Sequence, residues 1–344
     1  MSSATIVKPP LPAQRGAARL EHSFIPTFSE ARLREAIQRV RTRELPEDLL
    51  YWARQYATVG HRDMFLWKWV LEGISLTALP SVDPQLGDAV NITKVIGVIL
   101  DVLLDDVADR CGDRRYLHRL LVIPFADGPV DFAEFPAEQR AYADVTQRVW
   151  NAIQSRTHQY PRFAEFQEQW RFDYQQLLNA MHYSHLINHD VRLLNVTEHD
   201  LYSPHNMHMM VSGTLDLMCS PGFDGAELGA LREALWHAQC MGRIGNLVTT
   251  WERELGDRDF SSGVFARALQ TGALTVHELR SAAPETLRSA VHASDGENFY
   301  LQRWHQHRDQ ILARAASVRS VDLRALVGGL EKLIEIHLGS RGLK

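Results

Sequence analysis

The sequence predicts an all-α protein folded as one helical domain. Three observations carry that reading: almost every long segment repeats its apolar residues at helical period, strand-like alternation is scarce, and turn residues gather in short clusters between helix-length pieces. No longer repeat and no low-complexity linker divides the chain, so one domain of roughly ten helices is simpler than two.

From the N-terminus, residues 1 to about 20 read as a flexible tail, because Lys8-Pro9-Pro10-Leu11-Pro12 follows a polar start without the apolar stretch of a signal peptide or anchor. The domain is expected over residues 21–340. Helical period runs over 30–43, 61–79, 92–110, 138–156, 162–186, 226–255 and 321–338. Turn chemistry separates these pieces at 80–87, 124–136, 220–222, 256–263, 283–284 and 295–296.

With 45% hydrophobic residues the chain can bury a full core. Its formal charge of −5 gives no general attraction for nucleic acid or an anionic membrane, so phosphate binding would need a local site with cations. The three cysteines, Cys111, Cys219 and Cys240, form no CxxC pair and suit reduced thiols in a cytoplasmic protein. The most apolar run, 95–104, is interrupted by Asp101 and falls well short of the roughly 18 residues of a membrane span.

That run is apolar nearly all round, which places its helix inside the bundle, and it then turns abruptly acidic. Asp101, Asp105, Asp109 and Asp113 step by four and form one slowly turning stripe, with Asp106 beside it. A stripe of carboxylates is ordinarily a solvated face. Here the apolar run delivers it to the lip of the core, where unpaired carboxylates are costly and cations are needed. Asp105 and Asp109 are sparse enough for Mg2+, which keeps waters and takes phosphate oxygens. Asp101, one turn deeper, reads as a second-layer acceptor, a partner of bound water, or one half of an arginine pair. Arg110, Arg114 and Arg115 follow and could neutralise part of the charge.

A second stripe offers an amide oxygen, a hydroxyl and a carboxylate: Asn246, Thr250 and Glu254, again four apart. Alone it is a weak signal. Together the two stripes, Asp105-Asp106-Val107-Ala108-Asp109 and Asn246…Thr250…Arg253-Glu254, resemble the paired metal motifs of the class I terpene synthase family, chiefly its single-domain bacterial members. Their order and their separation of 141 residues are similar too, and the likeness covers roughly residues 20 to 340.

The resemblance implies an isoprenoid-synthase helical bundle around a central cavity. It implies Mg2+ as cofactor, three ions in the family with Mn2+ a substitute, held by Asp105, Asp109, Asn246, Thr250 and Glu254. Asp105 and Asp106 with Arg253 would serve ionisation of an isoprenoid diphosphate, and Ser212-Gly213 would be the helix-breaking linker and effector. Arg253 and Arg308 would contact the diphosphate. A homodimer is compatible, with neither a nucleic-acid partner nor a membrane anchor. The family's diphosphate-sensing arginine is missing: Met209 stands where it is expected, leaving Arg192 or His208 as replacements. Its arginine–tyrosine pair near the C-terminus is not evident either, and Arg303 and Arg308 are the candidates. The run Asp173–Met181 bears a looser likeness to bacterial kaurene-synthase-like enzymes, which favours a C20 substrate, geranylgeranyl diphosphate or a copalyl-type bicyclic diphosphate, over C15 farnesyl diphosphate.

Other residues carry less. His182, His185 and His189 share one helix face but are more ordinary as core and surface histidines than as a metal site. Most aromatics are core, while a few should line a cavity and stabilise cations; Phe65, Trp170 and Tyr300 are the expected ones. No Walker loop, GxGxxG, GxSxG elbow or basic nucleic-acid stripe occurs. A chain-elongating prenyltransferase would want a second aspartate-rich motif in place of Asn246…Glu254, and a helical protein without catalysis is the remaining alternative.

Overall fold

The structure, a computed structural model, describes residues 29–110 and 113–343. Among them are fifteen α-helices and no strand: α1 (Glu30–Thr42), α2 (Glu47–Ala57), α3 (Met64–Thr77), α4 (Gly87–Arg110), α5 (Arg114–Val122), α6 (Ala137–Thr157), α7 (Phe163–His189), α8 (Val196–Tyr202), α9 (Met209–Met218), α10 (Leu228–Asp257), α11 (Gly263–Gln270), α12 (Val276–Ser281), α13 (Pro284–Ala293), α14 (Gly296–Ala313) and α15 (Leu323–Gly339). The tail expected over residues 1–20 lies outside the described residues, as does Cys111. Cys219 and Cys240 are buried free thiols. No described helix is long and apolar enough to cross a membrane.

Polar residues set the helix starts. Asp63 accepts the Phe65 amide at 2.9 Å to open α3, Asp322 accepts the amides of Arg324 and Ala325 to open α15, and Thr275 with Glu278 forms a reciprocal capping box on α12. Each of the seven long periodic segments contains a helix. The expected count of roughly ten leaves out short helices such as α5, α8 and α12, whose six to nine residues give too few turns for a period to register. Asp113 is not on the α4 stripe; it caps α5 by accepting the Tyr116 amide at 3.1 Å.

α4 is the axis of one half of the bundle and packs against α2, α3, α5, α6, α7 and α9. Val95, Ile96, Ile99, Leu100, Leu103 and Leu104 are fully buried along it, each side chain contributing on the order of 1.5 to 3 kcal/mol. Its one buried lysine, Lys94, pairs with Asp216 on α9, and Asp216 also accepts the Leu79 amide at 2.9 Å. α10 organises the other half, packing on α9, α11, α13, α14 and α15. α15 closes the space between them by packing on α1, α3 and α10; Gly329 permits this, since a Cβ there would come within 1.8 Å of the Leu76 carbonyl oxygen on α3.

One expectation is corrected. The break in the polypeptide near the second half is not at Ser212-Gly213, which are regular helix inside α9. It lies four residues earlier, in a 3-10 turn over Ser203–Met207 followed by His208 in the left-handed conformation (φ 59°, ψ 3°). Gly213 is instead a packing glycine, against Leu235 of α10. Asp173 takes two hydrogen bonds from Arg232, at 2.7 and 3.1 Å, and one from Thr214 at 2.6 Å, joining α7, α9 and α10.

Candidate active site

α3, α4, α9, α10 and α15 wall a cavity of about 240 Å³, with the turn 203–208 and the segment after α10 completing it. Its inner wall is apolar, built from Leu66, Val70, Ile74, Val98, Leu330 and Leu333 among others. Its polar part is concentrated along the C-terminal halves of α4 and α10. Asp101, Asp105 and Asp109 come from α4; Asn246, Thr250, Arg253 and Glu254 come from α10; all seven line the same cavity. The four-residue steps of the two stripes are what turn these side chains to one side of each helix.

The carboxylates are crowded and largely desolvated. Burial pushes Asp105 up to about 6 and Glu254 up to about 7, with nearby acids, Asp259 among them, adding to the rise. Asp109 is raised well above the usual carboxylate range by burial and by Asp105, Asp259 and Glu254. Asp109 Oδ1 and Glu254 Oε2 are buried with no hydrogen-bond partner. Thr250 turns its hydroxyl to the Asn246 carbonyl at 3.0 Å. An all-oxygen set with orphaned carboxylate oxygens and raised pKa values is a site short of positive charge, and it fits hard divalent cations that share their shell with water and phosphate. Among the described residues no three His, Cys, Asp or Glu side chains converge on one point, so such ions would rely on other oxygens for much of their coordination.

Asp106 does not join them. It turns into the protein, where Tyr56 donates to it at 2.8 Å and Arg62 at 3.1 Å. The first half of the site therefore uses Asp105 and Asp109, and the neighbouring aspartate fastens α4 to α2 and to the turn before α3.

Besides Arg253, two cations line this site that the sequence reading passed over. Arg243 stands one turn before Asn246, donates to its amide oxygen at 3.2 Å, and has a buried Nε without a partner. Arg62 lines the cavity from the other side while holding Asp106. Arg243 was accessible from spacing, since residues 243, 246, 250 and 254 lie on one helical stripe. Arg62 carried no local signal. Asn206, in the 3-10 turn, donates to Asp105 at 3.0 Å, and Asp259, just past α10, also lines the cavity.

The suggested replacements for a sensing arginine lie elsewhere. Arg192 is on the surface, paired with Asp190 at 2.6 Å. His208 does line the cavity, but burial pushes it down to about 3, so it is neutral. Arg308 pairs with Glu331 at 2.7 Å and Arg303 with Asp200 at 2.6 Å, and neither lines the cavity. Arg253 does, held near Glu254 at 3.8 Å and Asp257 at 3.4 Å. Nor are the three expected aromatics on the wall: Trp170 stacks on Trp150, Tyr300 is buried against His199, and Phe65 packs on the core beside it. The wall's aromatic is Trp69, one turn after Phe65, with the His337 ring edge-on to it at 4.7 Å. Of the histidines on α7, His182 faces His118 at 3.3 Å and His185 lies 3.2 Å from the Ala108 carbonyl.

No family model matches the sequence, nor does any curated protein sequence. Among solved structures the chain is similar to isoprene synthase from grey poplar leaves (Populus x canescens), with 11% identity and a TM-score of 0.55. The match covers 90% of this chain and 53% of the poplar chain, so this protein spans about half the length of that enzyme. At that identity the likeness is one of fold: the chain has the all-helical terpene-synthase fold.

Proposed function

We propose that the protein is a Mg2+-dependent class I terpene synthase that ionises an allylic isoprenoid diphosphate and steers the resulting carbocation to a cyclised or rearranged product. The observation that carries this reading is the meeting, on the wall of one largely apolar cavity, of two oxygen-bearing helix stripes with orphaned carboxylates and three arginines. The terpene-synthase fold is consistent with it.

Asp105, Asp109, Asn246, Thr250 and Glu254 would hold Mg2+, which supplies Lewis-acid withdrawal of charge from the diphosphate when bound. Arg243 and Arg62 face the same opening and would take up charge that develops on the diphosphate oxygens as the carbon–oxygen bond breaks. Arg253 would hold Glu254 and Asp257 in place. The apolar wall keeps water from the allylic cation, and its contour folds the chain so that one carbon attack is favoured over others. Trp69 presents an aromatic surface worth roughly 0.5 to 2 kcal/mol to a cation nearby.

The substrate we assign is a C20 diphosphate, linear or copalyl-type, with C15 farnesyl diphosphate the competing choice. Purified protein incubated with C10, C15, C20 and copalyl-type diphosphates plus Mg2+ should release diphosphate and form a new terpene from one of them, seen by mass spectrometry. Release that persists undiminished in Asn246→Ala/Glu254→Ala sinks the assignment. Longer linear diphosphates as products would instead indicate chain elongation.

A further inference from the structure

Outside the cavity two imidazoles meet across a gap between helices. α5 packs mainly on α4 and on the 3-10 turn over Ile123–Phe125. Its His118 reaches from there to α7, where His118 Nε2 lies 3.3 Å from His182 Nε2. The two residues are 64 positions apart, so the spacing of histidines along α7 gives no sign of the pair. His185, the next histidine on α7, takes no part; its Nδ1 is turned to the Ala108 carbonyl at 3.2 Å.

The contact is a poor hydrogen bond. Rings meeting head-on would hold their centroids apart by the nitrogen separation plus two ring radii, but the centroids are only 4.9 Å apart, with the ring planes at 88°. The rings therefore meet at an angle, and a bent hydrogen bond is weak. Two imidazoles bound to one tetrahedral Zn2+ at about 2.0 to 2.1 Å have their nitrogens roughly 3.3 Å apart, which is the separation found here. Among the described residues nothing hydrogen-bonds Nδ1 of either ring, so each ring can carry its proton there and offer the Nε2 lone pair. Both rings are half-buried, and His118 opens onto a shallow surface pocket with Arg114, Arg119 and an Arg115–Glu134 ion pair, so water has access. Arg114 and Arg119 disfavour a bare dication at that place; an anion such as chloride in one open coordination position offsets this.

We propose that His118 and His182 form a second metal site, for a transition cation of the Zn2+, Ni2+ and Cu2+ class, which ties α5 to α7. The ion takes the two Nε2 lone pairs, and the proton between them moves to Nδ1 of its own ring. Water and an anion fill the remaining positions, because among the described residues no third His, Cys, Asp or Glu converges on the pair. The site is independent of the terpene-synthase reading, and its chemistry separates it from the cavity. Imidazole nitrogen suits these borderline ions, whereas the carboxylate, amide and hydroxyl oxygens of the two stripes suit Mg2+. α4 ends at Arg110 and α5 begins at Arg114, so an ion joining α5 to α7 braces the chain just beyond Asp109.

The test is calorimetric titration of the full chain with Zn2+, in chloride buffer with excess Mg2+ to occupy the carboxylates. Wild type should bind one equivalent that is at least about ten-fold weaker in His118→Asn and in His182→Asn, the low end of what losing even an outer partner of a metal site costs. His307→Asn is the control: it removes the other imidazole contact, His237 Nδ1 to His307 Nδ1 at 2.9 Å, and should keep that equivalent. Zn2+ should also raise the melting temperature of wild type and of His307→Asn but of neither α5–α7 variant. Equal Zn2+ binding by wild type and both variants, or an equal loss in His307→Asn, overturns the proposal. The spectrum of wild type with one equivalent of Cu2+ decides the matter whatever asparagine does to the fold. Electron paramagnetic resonance splitting from two imidazole nitrogens supports the site, and its absence overturns it.

Discussion

The Tyr56 hydroxyl donates to Asp106 Oδ2 across 2.8 Å, joining α2 to the acidic end of α4. Asp106 and Asp109 are three residues apart and do opposite things for the fold. One is satisfied by Tyr56 and Arg62; the other is half-buried, with one oxygen inaccessible and unpartnered among like charges. Asp106→Asn should therefore lower stability by about 1 to 3 kcal/mol, whereas Asp109→Asn, without divalent cations, should leave it unchanged or raise it. Urea midpoints in EDTA measure both, and destabilisation of the same size in the two variants would contradict the contrast.

Arg243 lines the cavity without an ion pair to a carboxylate: Asn246 takes one of its nitrogens and its Nε is left over. Arg243→Ala should cut diphosphate release by about 10²- to 10³-fold. Lysine at this position should recover only part, since a point charge lacks the guanidinium fork. Arg308→Ala, which loses a contact to Glu331 away from the cavity, should leave steady-state kinetics near wild type.

Glu254 is held near 7 by burial, against an ordinary value of 4.5. The folded protein thus keeps a proton that the unfolded chain gives up, and the stability from that proton is full below about pH 4.5 and lost as pH rises through 7. Histidines pushed down by burial, His208 to about 3 and His307 to about 4, tilt the profile the other way below pH 6.5. Comparison with Glu254→Gln isolates the carboxyl: the wild-type stability relative to that variant should fall by about 2 to 3 kcal/mol between about pH 5 and pH 8. Saturating Mg2+ should abolish that fall and release protons on binding, measurable by calorimetry in buffers of different ionisation enthalpy. A difference that grows with pH in EDTA would refute burial of Glu254 as its cause.

Gly97 faces the His208 ring with no room for a methyl group. Gly97→Ala gains helix propensity of nearly 1 kcal/mol but must displace the imidazole or bend α4, at roughly 1 to 3 kcal/mol. A net loss in melting temperature is expected, together with a changed product ratio at similar diphosphate release. Full retention of both would mean that the ring is not confined by α4.

Local arithmetic explains what the sequence made legible. The apolar-to-acidic switch of α4 and the four-residue steps of α10 depend only on helix geometry, and both stripes do meet in the cavity. What stayed hidden depends on contacts between segments distant in sequence. Whether Asp105 or Asp106 faces inward is decided by Tyr56 and Arg62, some fifty residues away. Phe65 and Trp69 lie on nearly the same face of α3, and their order of depth follows from how α15 docks, a fact absent from either residue's neighbours in sequence. α14 escaped notice because its large apolar residues, Tyr300, Trp304 and Ile311, stand among histidines, glutamines and arginines too numerous for a clean stripe.

The packing of α15 on α3 also bears on how the protein is made. Leu326, Leu330, Leu333 and His337 form one side of the cavity, and they leave the ribosome after every other wall is complete. Until α15 docks through Gly329, the nascent chain presents the inner faces of α3 and α10 as an open greasy trough. The docking of one helix both ends that exposure and gives the pocket its final shape.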